Sequence, residues 1–281
     1  MKKDTSKLID TAFDTLYADV CAGKSDSLKR YMKLMATFHS YSYFNTLLIM
    51  QQMPEATRVA GFTKWKSYNC HVKKGESGIL VLAPRTSKYI EEEGKKVYLH
   101  SGIEFTGNQE DIQTHLSFFP VYVFDVSQVE GDIPEDMIFF KNLGNDFKKM
   151  YIKLHDIIGA TGVQIVERDI RAQGTSLPGK ILINKTLDYN NKLITLIHEY
   201  AHEILHQNKD IAKESFSRKE EECQAESVSY VVAAYLGFEN TFSKDYVMMW
   251  GATKENFMKA ASIIKKGSDF IIDLIEKGMA A

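Results

Sequence analysis

At 281 residues, 44% hydrophobic and 26% charged, the chain has the composition of a folded protein with room for one large domain or two ordinary ones, which excludes a disordered tail or a low-complexity polymer. Its net charge of −2 hides an asymmetry: residues 24–88 carry eleven Lys or Arg against three Asp or Glu, a surplus of +8 that the remainder offsets with −10, which points to two parts with different partners. Cys21, Cys70 and Cys223 have no C-x-x-C spacing, no apolar run reaches ~18 residues and no signal-peptide core follows Met1, so disulfide scaffolds, zinc knuckles and membrane spans are excluded and a reduced, cytoplasmic protein without a membrane partner is expected.

Apolar residues at helical spacing predict a helix over residues 4–22, stopped by Gly23. Further helices are predicted over 27–37 and 42–53, the latter ended by Pro54, with a helical turn over 61–68. The period then shortens, and 78–83, 96–99 and 118–126 read as strands, with 91–96 as a solvated hairpin tip. The acidic stretch 129–136, with Gly131 and Pro134, is the predicted linker. Beyond it come a helix over 143–158, strands over 163–167 and 180–184 separated by a turn-rich stretch, and helices over 189–207 and 216–236, with two more within 243–277.

The densest chemistry lies in His198-Glu-Tyr-Ala-His202. Histidines four apart share one face of a helix, so both imidazoles can reach one metal ion, while Glu199 can contact a water there instead of the ion. The flanking residues Leu193, Ile194, Leu196, Ile197, Ile204 and Leu205 are apolar, so these histidines are half-buried and need partners. The 180–184 strand is positioned to hold an extended peptide by its backbone. The expected chemistry is hydrolysis assisted by Zn2+ or another divalent transition metal, with Glu199 as general base. A catalytic zinc takes three protein groups, so a third must come from elsewhere, and the following helix offers Glu220, Glu221, Glu222 and Glu226. Glu220 and Glu221 suit a solvated helix start. His206 lies one turn beyond His202, too far to ligate, and reads as a packing or supporting histidine. Cys223 reads as a core thiol. Tyr200 and Tyr230 are candidates for stabilising an oxyanion, and His100, His115 and His155 carry no functional signal.

The spacing resembles the gluzincin arrangement, in which H-E-x-x-H is followed one helix later by E-x-x-x-[D/E]. The resemblance implies Glu222 as third ligand and Glu226 as the carboxylate behind a ligand histidine, with the two roles open to exchange.

The basic first third interleaves cations with aromatics, as single-stranded nucleic acid binding requires. The candidate contacts are Tyr41, Tyr43, Lys64, Trp65, Lys66, Lys73, Lys74 and Arg85. Core aromatics and solvated lysines would give the same composition. Residues Tyr41–Ala56, Val59–Trp65, Val72–Ile79 and Val121–Gln128, in that order, resemble the N-terminal domain of ArdC-type antirestriction proteins. The second half, through Pro178–Asn184, the histidine helix and Glu222-x-x-Ala225, also resembles ImmA/IrrE-type peptidases. Together the resemblances cover most of 28–236. The chain departs from the family with Tyr200-Ala201 where Leu-Gly is common, and with a longer charged hairpin near Glu91.

The implied architecture is α+β: N-terminal helices on a small antiparallel sheet over 1–128, then a mainly helical zincin-like metallopeptidase domain with a short sheet over 138–281. The implied function is that of an antirestriction protein of a mobile, conjugative element that binds single-stranded DNA and carries a metal-dependent peptidase site acting on a protein or peptide. Two alternatives stay open: a DNA-binding protective factor with a structural or inactive metal site, and a regulatory metallopeptidase without DNA binding.

Overall fold

The computed structural model describes residues 5–92, 95–99, 111–133, 146–208, 215–238, 240 and 253–280. The hairpin tip at 93–94, His100, the linker from Pro134 on and the predicted helical stretch at 243–252 lie outside these residues. The chain is α+β with small sheets and a helical second half. It divides into two compact units, one of residues 1–51 with 134–281 and one of residues 52–133. This cut differs from the division at 128/138, because the N-terminal helices share a core with the C-terminal half.

The first unit starts with α1 (Thr5–Cys21), α2 (Ser25–Thr37) and α3 (Tyr43–Gln52). It resumes after the second unit with α5 (Phe147–Gly159), β7 (Gln164–Arg168), β8 (Gly174–Leu177), β9 (Lys180–Asn184), α6 (Tyr189–His202), α7 (Arg218–Leu236) and α8 (Lys254–Ala280). Helix α7 is its axis. It packs on α2, α6 and α8, and its second half, Ser227–Ala233, is buried on every side. Leu28, Tyr31, Met32 and Met35 of α2 share one buried cluster with Val228, Val231 and Val232 of α7. A capping box starts α7: Ser217 accepts from the Glu220 N–H, and the Glu220 carboxylate accepts from the Ser217 N–H. Gly237, at φ 83°, ends it in the left-handed conformation.

The three-stranded sheet runs β7-β9-β8, with β7 parallel and β8 antiparallel to β9. Asp188 caps α6 by accepting from the Asn191 N–H at 2.8 Å. After His202 the helix does not continue as α. Glu203–Gln207 form a π-helical turn, closed by the Asn208 N–H donating to the Glu203 carbonyl at 2.9 Å.

The second unit holds β1 (Val59–Gly61), α4 (Phe62–Ser67), β2 (His71–Val72), β3 (Ile79–Glu92), β4 (Lys95–Leu99), β5 (Gln113–Asp125) and β6 (Val129–Glu130). Its main sheet runs β1-β5-β3-β4, antiparallel throughout. Buried side chains staple it. The Trp65 indole N–H donates to the Phe124 carbonyl at 2.9 Å, and the Gln52 amide bonds both the N–H and the carbonyl of Leu80. The Asp125 carboxylate accepts from the N–H groups of Thr57, Arg58 and Ser127.

One ion pair ties the metal-motif helix to the sheet beneath it. Lys192 of α6, 7% exposed, donates to Glu167 of β7 at 2.6 Å, and the Tyr151 hydroxyl of α5 donates to the other Glu167 oxygen at 3.0 Å. Burial alone would raise Glu167, but these two hydrogen bonds outweigh it and hold the carboxyl below its ordinary 4.5. Glu167→Leu strands a buried ammonium and should lower the unfolding free energy at neutral pH by about 3 kcal/mol in urea titrations. Because the folded-state pKa is depressed, this contribution is complete above about pH 4.5 and fades as pH falls below it, so the gap between wild type and variant should narrow in acid.

Candidate metal centre

Helix α6 presents His198 and His202 one turn apart, and α7 brings Glu222 opposite them. The two Nε2 atoms are 3.1 Å apart, and Glu222 Oε2 lies 3.5 Å from His198 Nε2 and 3.6 Å from His202 Nε2. Among the described residues these three form one of two groups whose donor atoms converge as a metal ion requires, the other being His39, Asp273 and Glu276, of which the two carboxylates are exposed. The separations within the first group match the edges of a tetrahedron, about 3.3 Å long, around an ion with bonds of ~2.0–2.1 Å. Two nitrogen lone pairs directed at one point also favour a cation there.

The electrostatics agree with this geometry. Hydrogen bonding to His198, with the His202 imidazole beside it, holds the Glu222 carboxyl far below the usual carboxylate range. Burial pulls His198 down, but Glu222, with Glu199 and Glu226, outweighs it and leaves the ring above its ordinary value. Glu226 Oε2 lies 3.6 Å from His198 Nδ1, on the side of the ring away from Glu222, and burial raises its carboxyl. Glu199 is 8% exposed, and burial raises its carboxyl against the pull of both histidines.

These groups open into a cleft of about 560 Å³ also lined by Gln173, Gly174, Thr175, Ser176, Thr195 and Arg218. Of these six, the sequence marks Gly174 alone, and only as part of the turn-rich stretch between the two predicted strands. The 180–184 strand forms as predicted, but as β9 it is paired on both sides and has no free edge. Strand β8 takes the cleft wall. Its sequence, Gly-Thr-Ser-Leu, reads as part of a turn because it lacks alternating large apolar residues. The Ser176 N–H donates to Glu199, while the Ser176 hydroxyl is buried with no hydrogen-bond partner among the described residues.

The remaining candidates separate by burial. Tyr200 and Tyr230 are 2% and 6% exposed in the main core cluster and are not among the residues lining the cleft. Cys223 is buried, and burial pushes its thiol up to about 12. In the second unit Lys64, Lys66, Lys73, Lys74 and Arg85 are exposed. Trp65 corrects the sequence reading: fully buried and hydrogen-bonded to Phe124, it has no face to offer a base. Tyr41 and Tyr43 are half-buried residues of the first unit, where the Tyr43 ring lies 4.3 Å from that of Phe44. The exposed aromatics of the second unit include Phe118 at 60% and Tyr122 at 50% on β5, with Phe62 on α4 and Tyr98 on β4.

A histidine helix over a short mixed sheet, faced by carboxylates of the next helix, is the plan of a zincin-like peptidase domain, and residues 158–241 match the IrrE N-terminal-like domain. Residues 13–124 match the N-terminal domain of anti-restriction factor ArdC. The fold is similar to that of the antirestriction ArdC protein from plasmid R388. The Mn(II)-bound structure aligns with TM-score 0.58 at 21% identity over 95% of this chain and 97% of that one. The metal-free structure aligns with TM-score 0.55 at 21% identity over 85% of each. An uncharacterized protein of Bacillus anthracis is 25% identical over 99% of this chain and 52% of its own length, so the chain spans about half of that relative. The chain thus carries an ArdC-type N-terminal domain followed by an IrrE-like domain, and this order supports the ArdC-type two-domain assignment.

Gly174 sets how closely β8 approaches the histidine helix. A Cβ there would stand 2.5 Å from Thr195 Cγ2 and 2.7 Å from Glu199 Cγ and Oε1. Gly174→Ala should therefore displace Glu199 and cost about 1–3 kcal/mol in chemical denaturation. An equal change at Gly179, where a Cβ meets nothing within 4 Å but φ is 70°, should lack the effect on Glu199.

Proposed function

We propose that the chain binds single-stranded DNA through residues 52–133 and carries a divalent-metal peptidase site on α6 and α7, as befits an antirestriction protein of a mobile genetic element. The observation that carries the metal reading is the convergence of His198, His202 and Glu222 at 3.1–3.6 Å, with Glu199 beside them in the cleft. The three donors would hold zinc or manganese; the Mn(II)-bound ArdC structure supports the broader metal class. A bound divalent ion supplies Lewis acidity toward a carbonyl oxygen and toward water.

The chain's own residues supply the rest. The outer edge of β8 runs along the cleft, where its backbone can hold an extended peptide as an added strand. The raised Glu199 carboxyl suits taking a proton from water and returning it to the leaving amine nitrogen. Glu226 orients His198 from behind, and Arg218 puts a positive charge at the cleft wall.

For DNA, support comes from the surface of β5. Leu116, Phe118 and Tyr122 lie on one face at 56%, 60% and 50% exposure, and the pairing Lys88↔Thr114 puts Lys88 on that face. An exposed apolar strip edged by cations is suited to stacking bases while cations neutralise phosphates.

Purified protein should hold about one zinc or manganese ion per chain, and His202→Ala or Glu222→Ala should lose it in metal analysis. Glu199→Gln should keep the ion but slow metal-dependent cleavage of unfolded casein by about 10²- to 10⁴-fold. Cleavage by that variant at the wild-type rate would sink the peptidase reading. A metal-loaded wild type that never cleaves would favour the protective factor with an inactive site.

In fluorescence anisotropy with a labelled single-stranded oligonucleotide, Phe118→Ala and Tyr122→Ala should each weaken binding by about 5- to 100-fold, and affinity should fall steeply with salt. Trp65→Ala should act through unfolding, costing about 3–5 kcal/mol. Absence of binding at low salt would remove the DNA assignment.

A further inference from the structure

His206 and Gln224 lie outside the converging group, yet they continue it in an unbroken line. His202 Nδ1 is 3.1 Å from His206 Nδ1, and His206 Nε2 is 3.0 Å from Gln224 Oε1. The rings of His202 and His206 are 5.1 Å apart, and the Phe216 ring packs on the edge of the second at 6.3 Å. Gln224, 4% exposed on α7, is buried.

We propose that His206 and Gln224 are positioning residues that fix the tautomer and the ring orientation of His202 through this line of hydrogen bonds. The inference rests on the metal reading for its purpose but not for its geometry. A carbonyl oxygen only accepts, so Gln224 Oε1 requires the proton of His206 on Nε2. The neutral His206 ring then has its lone pair on Nδ1, which can only accept from His202 Nδ1–H. That leaves the lone pair of His202 on Nε2, the atom that faces His198 and Glu222. Each bond dictates the next, and any reversal would put a proton on the nitrogen that must be free to ligate.

The two histidines are thereby held by different chemistry. His198 has the Glu226 carboxylate at 3.6 Å from Nδ1, and His202 has a second imidazole and then an amide. Outer partners of this kind set the basicity and direction of a ligand ring. His206 lies four residues after His202, so it stays on the same helix face one turn further on, and the π-helical turn of Glu203–Gln207 carries it there.

Two readouts test the relay. Gln224→Met keeps the volume but loses the acceptor, and His206→Phe keeps a ring but loses both nitrogens. Each should weaken zinc binding by about 10- to 100-fold in competition with a chelator, and Gln224→Glu, which retains an acceptor oxygen, should recover most of it. Zinc affinity unchanged in Gln224→Met would overturn the proposal. Independently, ¹⁵N ring shifts of the metal-free wild type should report His202 as the Nδ1–H tautomer and His206 as the Nε2–H tautomer. The reverse assignment at either ring would also overturn it. Expected tautomers in a protein that takes up no zinc would leave the relay standing and remove the metal reading alone.

Discussion

The packing of α6 on α7 governs the chemistry of the first unit. His198 and His202 come from one helix and Glu222, Glu226 and Gln224 from the other, so a small slide between the two would separate donors that now lie within 3.6 Å of one another. Burial resists the slide. Leu193, Leu196, Ile197 and Ala201 on one side and Ala225, Val228 and Val232 on the other are closed off from solvent in one cluster. The Lys192–Glu167–Tyr151 contacts then anchor α6 to β7 and α5. The polar centre is thus held at the surface of an apolar joint, which keeps charged ligands from having to hold the helices together themselves.

Much of this was legible in the sequence because helical periodicity and ligand spacing are local. The strands of the first unit were partly legible: β9 forms over the predicted residues, while β8 escaped notice because its place in the sheet is earned by pairing with β9 and not by its own apolar pattern. The π-helical turn was not legible either, since an ordinary helical count continues past His202 without interruption. Gly174 was visible only as a turn residue, and its actual constraint, a close approach to Glu199, exists only once strand and helix are brought together.

The motifs of the first third prove to be mostly internal. Trp65, Gln52, Asp125 and Gln128 spend their polar atoms within their own unit, mostly on its backbone; Gln128 accepts from the Asp125 N–H and donates to the Ser77 carbonyl and the Glu76 carboxylate. Such residues mark a fold with high specificity and say little about what its surface touches. The surface is carried by residues with no distinctive spacing, the exposed lysines and the aromatics of β5. A sequence family of residues 13–124 also spans both compact units, because α1–α3 pack with the helical unit while the chain between them and α5 forms the sheet.

The π-helical turn makes chain length, and not only residue identity, a condition of the arrangement around His202. One residue fewer between His202 and His206 would leave the second imidazole three positions after the first, about 60° around an α-helix and a shorter rise away, off the line that joins His202 to Gln224. Relatives that keep all the same letters but differ by a single deletion here would lose the connection, and relatives with another acceptor at 206 could keep it only with the same count of residues.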